Sequence, residues 1–386
     1  MESLPRDFRK FSLEERQKIL KGKFPSPHFE GSELDPHIAD RMVENSVGWF
    51  HVPQGIVQAL PLDGELLDVP LATEEPSVIA AANYAAKILS AGNLKTTVTR
   101  SIMTAQVWLE AKTSTAGASQ ELFLKHLEDI SLQAREHLNK MEARGGGLRD
   151  IRFRTLEQLP NLMVVEFDVD VCDAQGANLL NTMAEGISAF LGSRLKAQKL
   201  LAILSNDGSK RRATAEFCLP VRFLAKGSID GPEAARRIVL AAQIADLDPA
   251  RAVTHNKGIM NGVSALALAT GNDTRAIEAS VHAWAARTGR YRALSRYEKN
   301  GDFLSGYLEI PTVFATIGGA VNVHPGVLRN LELLRRPDAA KLSRLAAALG
   351  LAQNFAALFA LTGEGIQRGH MSLHQRRFGQ GPNKEF

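Results

Sequence analysis

Asp248-Pro249-Ala250-Arg251-Ala252-Val253-Thr254-His255-Asn256-Lys257-Gly258-Ile259-Met260-Asn261-Gly262, followed closely by Ala269-Thr270-Gly271-Asn272-Asp273, is the most informative run in the chain. It is polar and dense in hydrogen-bonding groups. Yet Val239-Leu240-Ala241-Ala242 precedes it and Val263-Ser264-Ala265-Leu266-Ala267-Leu268-Ala269 follows, and both flanks read as buried. A polar segment set into core-like surroundings reads as a loop that carries a site. A lysine there can lose water beside a carboxylate, and so stabilise an oxyanion or relay a proton. The plainer alternative is a solvated loop with Lys257 pointing outward, and composition leaves the two open.

Working outward, 386 residues at 45% hydrophobic content suit two or three domains with ample core. A net charge of +4 suits an anionic small ligand and is too weak to argue nucleic acid; four tyrosines and three tryptophans offer little stacking surface. Cys172 and Cys218 stand apart, without CxxC spacing, which points to a reducing compartment. The stretch Met1–Asp7 has no apolar signal region, and no apolar run reads as long enough to span a bilayer, so a cytoplasmic protein is expected.

Ser12 and Glu15 form a capping box that starts a helix, and Ile38–Val43 is a second helix. Leu60–Leu71 reads as a hairpin turning at Asp63-Gly64. Ala72-Thr73-Glu74-Glu75-Pro76-Ser77 opens an alanine-rich helix through Lys87, with Pro76 in its first turn. Capping explains one of the two glutamates. Neighbouring carboxylates disfavour each other's charge, so one of the pair can stay protonated and act as an acid.

From about Ile102 the pattern changes. A strand at Ala105–Leu109, a helix over Ser119–Ala143, a break at Gly145-Gly146-Gly147, strands at Asp150–Thr155 and Met163–Val171, a helix at Asn181–Arg194 and a strand at Leu200–Leu204 give the ferredoxin-like order. The chain is therefore expected to be α+β: a large mixed helical and sheet domain (1–101 and 209–366) with an inserted small domain (102–208), then a short tail (367–386). Ala213–Pro220 and Asp302–Thr312 read as strands, Pro232–Ala245 and Ala339–Phe359 as helices, and Asn272 or Asp273 as the cap of another helix. No GxGxxG or P-loop occurs. His370 and His374 have helical metal-ligand spacing, but no third ligand or HExxH pattern accompanies them, so no metal is expected.

Thr254-His255-Asn256-Lys257-Gly258-Ile259-Met260-Asn261-Gly262 with Ala269-Thr270-Gly271-Asn272-Asp273 resembles the catalytic lysine and aspartate segments of hydroxymethylglutaryl-CoA (HMG-CoA) reductases, most of all the class II bacterial enzymes. Glu44-Asn45-Ser46-Val47-Gly48 resembles their Glu-Asn-Val-Ile-Gly dimer-interface motif. Asp173-Ala174-Gln175-Gly176-Ala177-Asn178 resembles their Asp-Ala-Met-Gly-Ala-Asn nicotinamide-binding motif, with Gln175 in place of Met. The resemblance runs from Phe8 to His374. It implies a cytoplasmic homodimer, or a larger assembly of dimers, that interconverts HMG-CoA with mevalonate and CoA using NADPH or NADH. It implies Glu75, Lys257, Asp273 and His370 as catalytic residues, and Arg251, Thr254, Asn261, Ser77 and Arg9 as contacts to the CoA substrate. The cofactor would lie on Asp173, Gln175, Gly176, Ala177, Asn178 and Asn206. Alignment on the triple glycine puts Leu138 where NAD-preferring relatives carry an aspartate; this, with the charge of Ser209-Lys210-Arg211-Arg212, leads to the expectation that NADPH is accepted. A helical flap would follow His370, with 367–386 as its remnant. Two rival readings are a homologue that binds CoA ligands without turnover and another acyl-CoA reductase on the same scaffold.

Overall fold

Asp63 and Gly64 both take positive φ (50° and 89°), the pairing that a two-residue hairpin turn requires. They join β1 (Gln54–Leu62) to β2 (Glu65–Ala72) in antiparallel register. The computed structural model describes residues 4–5, 8–23, 35–111 and 116–363. Ahead of the hairpin come α1 (Leu13–Lys23) and α2 (Pro36–Met42). At α1 the capping box is formed in both directions, Glu15 N to Ser12 Oγ at 3.2 Å and Ser12 N to Glu15 Oε2 at 2.7 Å. After it come α3 (Pro76–Leu89) and β3 (Lys95–Val98).

Contacts divide the chain into two units, residues 1–98 with 213–312 and 316–386, and residues 99–212 with 313–315. The smaller unit contains β4 (Ile102–Ala111), α4 (Ala116–Lys125), α5 (Leu127–Glu136), α6 (Asn139–Glu142), β5 (Gly147–Leu156), β6 (Leu159–Asp170), α7 (Ala177–Leu195) and β7 (Ala197–Ser205). Its sheet order is β5-β6-β4-β7, antiparallel throughout, which is the ferredoxin-like arrangement. Met103, Ala105, Val107 and Leu109 alternate inward along β4, and α4, α5 and α7 pack on the sheet. One helix was expected over Ser119–Ala143. The chain instead turns at His126 and again at His137-Leu138, each in a bridging conformation between helices.

The larger unit resumes with β8 (Arg212–Pro220), α8 (Gly231–Leu247), α9 (Pro249–Ala269), α10 (Thr274–Ala285), β9 (Ser295–Asn300), β10 (Phe303–Pro311), α11 (Pro325–Leu333) and α12 (Ala339–Thr362). Its second sheet has the order β3-β8-β10-β9. α12 is apolar on every side and packs against α9, α3, α8 and β10. Contrary to the expectation that no run would be long enough, length and composition alone would let α12 cross a membrane. However, 78% of its most apolar window is buried inside the protein, as befits a core helix.

The main departure from the sequence reading is α9. The expected loop is one continuous helix of 21 residues. Asp248 caps it, accepting from Ala250 N at 2.9 Å, and Pro249 occupies its first position. Its polar residues look loop-like only when read in sequence. On a helix they separate into an outer face and a buried one. Gly262 fits because it faces α12: a Cβ there would sit 2.8 Å from Gln353 Cγ and 3.0 Å from Leu349 Cγ. Gly262→Val is therefore expected to overpack this contact and cost about 2 kcal/mol. Urea denaturation should show a lower midpoint with an unchanged slope.

Candidate functional site

Along α9, Arg251, Thr254, Lys257 and Asn261 fall within one arc of about 120° at 100° per residue. Thr254 and Lys257 are exposed, Arg251 and Asn261 half-buried, and the residues between them are mostly core. Among the described residues Lys257 makes no ion pair, so its ammonium is available to a ligand.

The opposite face fixes the roll of the helix. Asn256 is fully buried; its amide donates to Arg292 O at 2.8 Å and accepts from Leu294 N at 3.0 Å. His255 is 2% exposed, with Nε2 2.7 Å from Ser295 Oγ. Ser295 and Tyr297 both donate to Asn354 Oδ1 at 2.8 Å. With its hydrogen directed at Asn354, the Ser295 hydroxyl accepts from His255 Nε2. That fixes the tautomer and leaves Nδ1 bare and without a partner. Burial, helped by Arg251, pushes the imidazole pKa down to about 4.

The C-terminal end of α9 gathers a second set. Asp273 caps α10, accepting from Arg275 N and Ala276 N at 3.1 Å each. Asn330, buried on α11, donates to Ala269 O at 2.7 Å and accepts from Gln54 Nε2 at 2.7 Å. Gln54 lies opposite Ala72 in the hairpin, so these bonds put the segment leading into Glu75 beside the end of α9. Glu75 caps α3, with Ser77 N (3.2 Å) and Ser77 Oγ (2.8 Å) donating to Oε1. Sequence reading missed Asn330 because α11 was not expected. Its only signal was His324-Pro325, whose imidazole accepts from Gly326 N at 3.0 Å.

The two sets lie at different levels of one helix. The twelve steps from Lys257 to Ala269 rise about 18 Å along the axis. Side chains on a helix lean toward its N-terminus, which takes Lys257 further from Asp273.

In the smaller unit, Gly176 (φ 93°) begins α7 in the left-handed region, and a Cβ there would lie 2.6 Å from Val171 Cγ1. As the N-cap residue of α7, Gly176 has no side chain to offer its first turn, and it lies beside half-buried Asp173, Gln175 and Ala177 and exposed Asn178. Asn206 is exposed after β7. Two expectations here differ from the structure. Leu138 is fully buried and faces the core, because it closes the turn between α5 and α6. Lys210 pairs with Asp168, and Arg212 donates to Ser209 O. Arg211 is buried. The basic run is thus engaged by protein groups, with Arg211 enclosed and Lys210 and Arg212 half-buried.

The family described as "Hydroxymethylglutaryl-coenzyme A reductase" matches residues 12–375. The reductase of Archaeoglobus fulgidus is 42% identical over 380 residues, covering 96% of this chain and 85% of that protein. A probable reductase of Borreliella burgdorferi is 35% identical over 373 residues, with the same coverage. The class II reductase of Streptococcus pneumoniae, solved with NADPH in open conformations, superposes with a TM-score of 0.88 at 38% identity, covering 93% of this chain and 99% of that one.

The chain belongs to the hydroxymethylglutaryl-coenzyme A reductase family.

As a member of it, the protein is an oxidoreductase with the mixed helix and sheet fold of the class II enzymes. Of the residues that the sequence nominates in this reductase, the fold brings Arg251, Thr254, Lys257 and Asn261 onto one face of α9. It groups Glu75 and Ser77 with the end of α9 that bears Asp273. His370 lies outside the described residues, as does the side chain of Arg9. Among the described residues no group of three His, Cys, Asp or Glu side chains is disposed to hold a metal.

His255 gives the reductase a definite acid limit. Its native pKa near 4 lies below the ordinary 6.5, so the unfolded chain takes up a proton that the native one refuses. The stabilisation is complete above pH 6.5 and falls as pH drops towards 4, by about 3 kcal/mol over the window. Urea midpoints measured from pH 7 to 4 should show this slope, and His255→Gln should flatten it.

Proposed function

We propose that this reductase converts (S)-HMG-CoA, two reduced nicotinamide cofactors and two protons to mevalonate, free CoA and two oxidised cofactors, and runs in reverse over the same groups. The observation that carries this reading is the outer face of α9, where Arg251, Thr254, Lys257 and Asn261 stand together. The nicotinamide supplies a hydride in each of the two reductions. Arg251 pairs with the free carboxylate of the substrate, for which a planar guanidinium is suited. Lys257 stabilises the oxyanion as the thioester becomes a hemithioacetal, and again as mevaldehyde is reduced. Glu75 delivers a proton to the aldehyde oxygen, and Asp273 balances the charge of Lys257 and Glu75. His370 protonates the departing CoA thiolate. Ser77, Thr254 and Asn261 line the pocket, and Arg9 meets a CoA phosphate.

Asp173, Gln175, Gly176, Ala177, Asn178 and Asn206 hold the cofactor. A glycine at position 176, with no side chain between backbone and ligand, and the N-terminus of α7 fit an anionic pyrophosphate. The NADPH held by the pneumococcal relative supports NADPH as a cofactor here, with NADH as the other candidate. The free thiols Cys172 and Cys218 support a cytoplasmic location.

The same reading requires a homodimer. The roughly 18 Å along α9 from Lys257 to its end at Ala269 is bridged if the lysine face of one protomer meets the Glu75 and Asp273 end of its partner. A two-fold axis then builds two equivalent sites. Exposed Leu240, Ile244 and Leu247 form a stripe on α8, and Val253 is exposed on α9; with Val47 and Phe50 near the Glu44–Gly48 segment they supply apolar surface for the contact.

Lys257→Ala is expected to lower turnover of HMG-CoA with NADPH by about a hundredfold or more while the fold persists. Near-normal turnover would remove the assigned role. The shared site has a sharper signature. Lys257→Ala and Asp273→Ala, each inactive alone, should recover about a quarter of wild-type activity after being unfolded and refolded together, because mixed dimers hold one intact site. No recovery on mixing would place the site within a single chain.

A further inference from the structure

Arg211 is the largest of the fully buried side chains, at 1% exposure, and no function is assigned to it above. Its Nη1 donates to Ala174 O at 2.9 Å and its Nη2 donates to Phe314 O. Its Nε has no partner. Among the described residues no carboxylate pairs with it; Asp170 and Asp173 act on it only through longer-range attraction. Burial draws its pKa down to about 10, so it remains charged at neutral pH. A buried charge without a close counter-ion is unfavourable, and a methionine would fill similar volume at lower cost. What arginine adds is a rigid, planar set of donors that spans two carbonyls at once.

One of those carbonyls belongs to the turn Asp173-Ala174-Gln175-Gly176. Val171 closes that turn from the other side, leaving no room for a Cβ at Gly176. We infer that Arg211 is a positioning residue for the nicotinamide cofactor: by clamping the Ala174 carbonyl against the extended segment at Phe314 it holds the Asp173–Gly176 turn and the start of α7 in the conformation that binds the dinucleotide, without touching it. The inference rests on the assignment of residues 173–178 to the cofactor. Lysine cannot replace arginine here, because a single ammonium does not reach both carbonyls in the same geometry.

The test uses Arg211→Lys and Arg211→Met, with NADPH dissociation read by cofactor fluorescence, KM for each substrate, and Tm. Asn178→Asp serves as a direct variant of the loop, placing a carboxylate in the first turn of α7. Arg211→Lys is expected to weaken NADPH binding and raise its KM by about tenfold or more, while KM for HMG-CoA changes by less than about twofold. Arg211→Met should weaken the cofactor further. Unchanged NADPH binding in a folded Arg211→Lys protein, alongside a strong loss in Asn178→Asp, would overturn the inference and leave the loop assignment standing. Unchanged binding in Asn178→Asp as well would overturn the loop assignment itself. A lowered Tm with equal rises in both KM values, or failure of both Arg211 variants to fold, would give Arg211 to stability alone.

Discussion

Gly262 of α9 lies against Leu349 and Gln353 of α12, and Gly350 of α12 lies against Ile259 and Val263 of α9. Each helix contributes a glycine where the other comes closest. This crossing locks a helix that is polar on one side to a long helix that is buried along most of its length. With α12 buried and α9 held to it, the roll of α9 is no longer free. Asn256 and His255 complete the constraint through β9 and its approach, and Arg251, Thr254, Lys257 and Asn261 are left outside. A preorganised site needs side chains on a rigid element supported from behind, and a helix clamped along its inner face provides that.

The same helix also sets the scale of the proposed active centre. Its N-terminal half displays the lysine face, and its C-terminal end is tied through Asn330 and Gln54 to the hairpin that leads into Glu75. A straight helix cannot bring its own two ends together, so α9 works as a spacer. In the proposed homodimer this separation becomes complementarity, because the end that one protomer lacks is the end its partner presents.

Charge is handled differently in the smaller unit. On its sheet Arg152 meets Asp150, Glu166 and Asp168, while Arg154 meets Glu166. These groups neutralise one another, and Asp168 is held below the usual carboxylate range by Arg152 and Lys210 despite the opposing effect of burial. Arg211 is the exception. It is buried with two carbonyls and, among the described residues, no close acid, and one of those carbonyls lies in the turn before α7.

The sequence by itself determined much. Period-two strands, the capping box at Ser12 and Glu15, the Asp63-Gly64 turn and the βαββαβ order of the middle segment are local signals, and each produced the element it announced. The long match around Lys257 was enough to indicate the family, because it consists of residues whose chemistry is rarely assembled by chance. Only the tertiary structure decided the rest. It made the lysine stretch a helix, since a core contact at Gly262 and two buried polar anchors outweigh the loop-like composition of residues 251–262. It buried Leu138, because a turn between helices points its closing side chain inward wherever an alignment places it. It enclosed Arg211 and paired Lys210 with Asp168, so a basic run that reads as an anion patch is also engaged by the fold. The physical reason is the same in each case. Sequence period records which way a residue faces its own element, and burial against other elements depends on contacts far away in the chain.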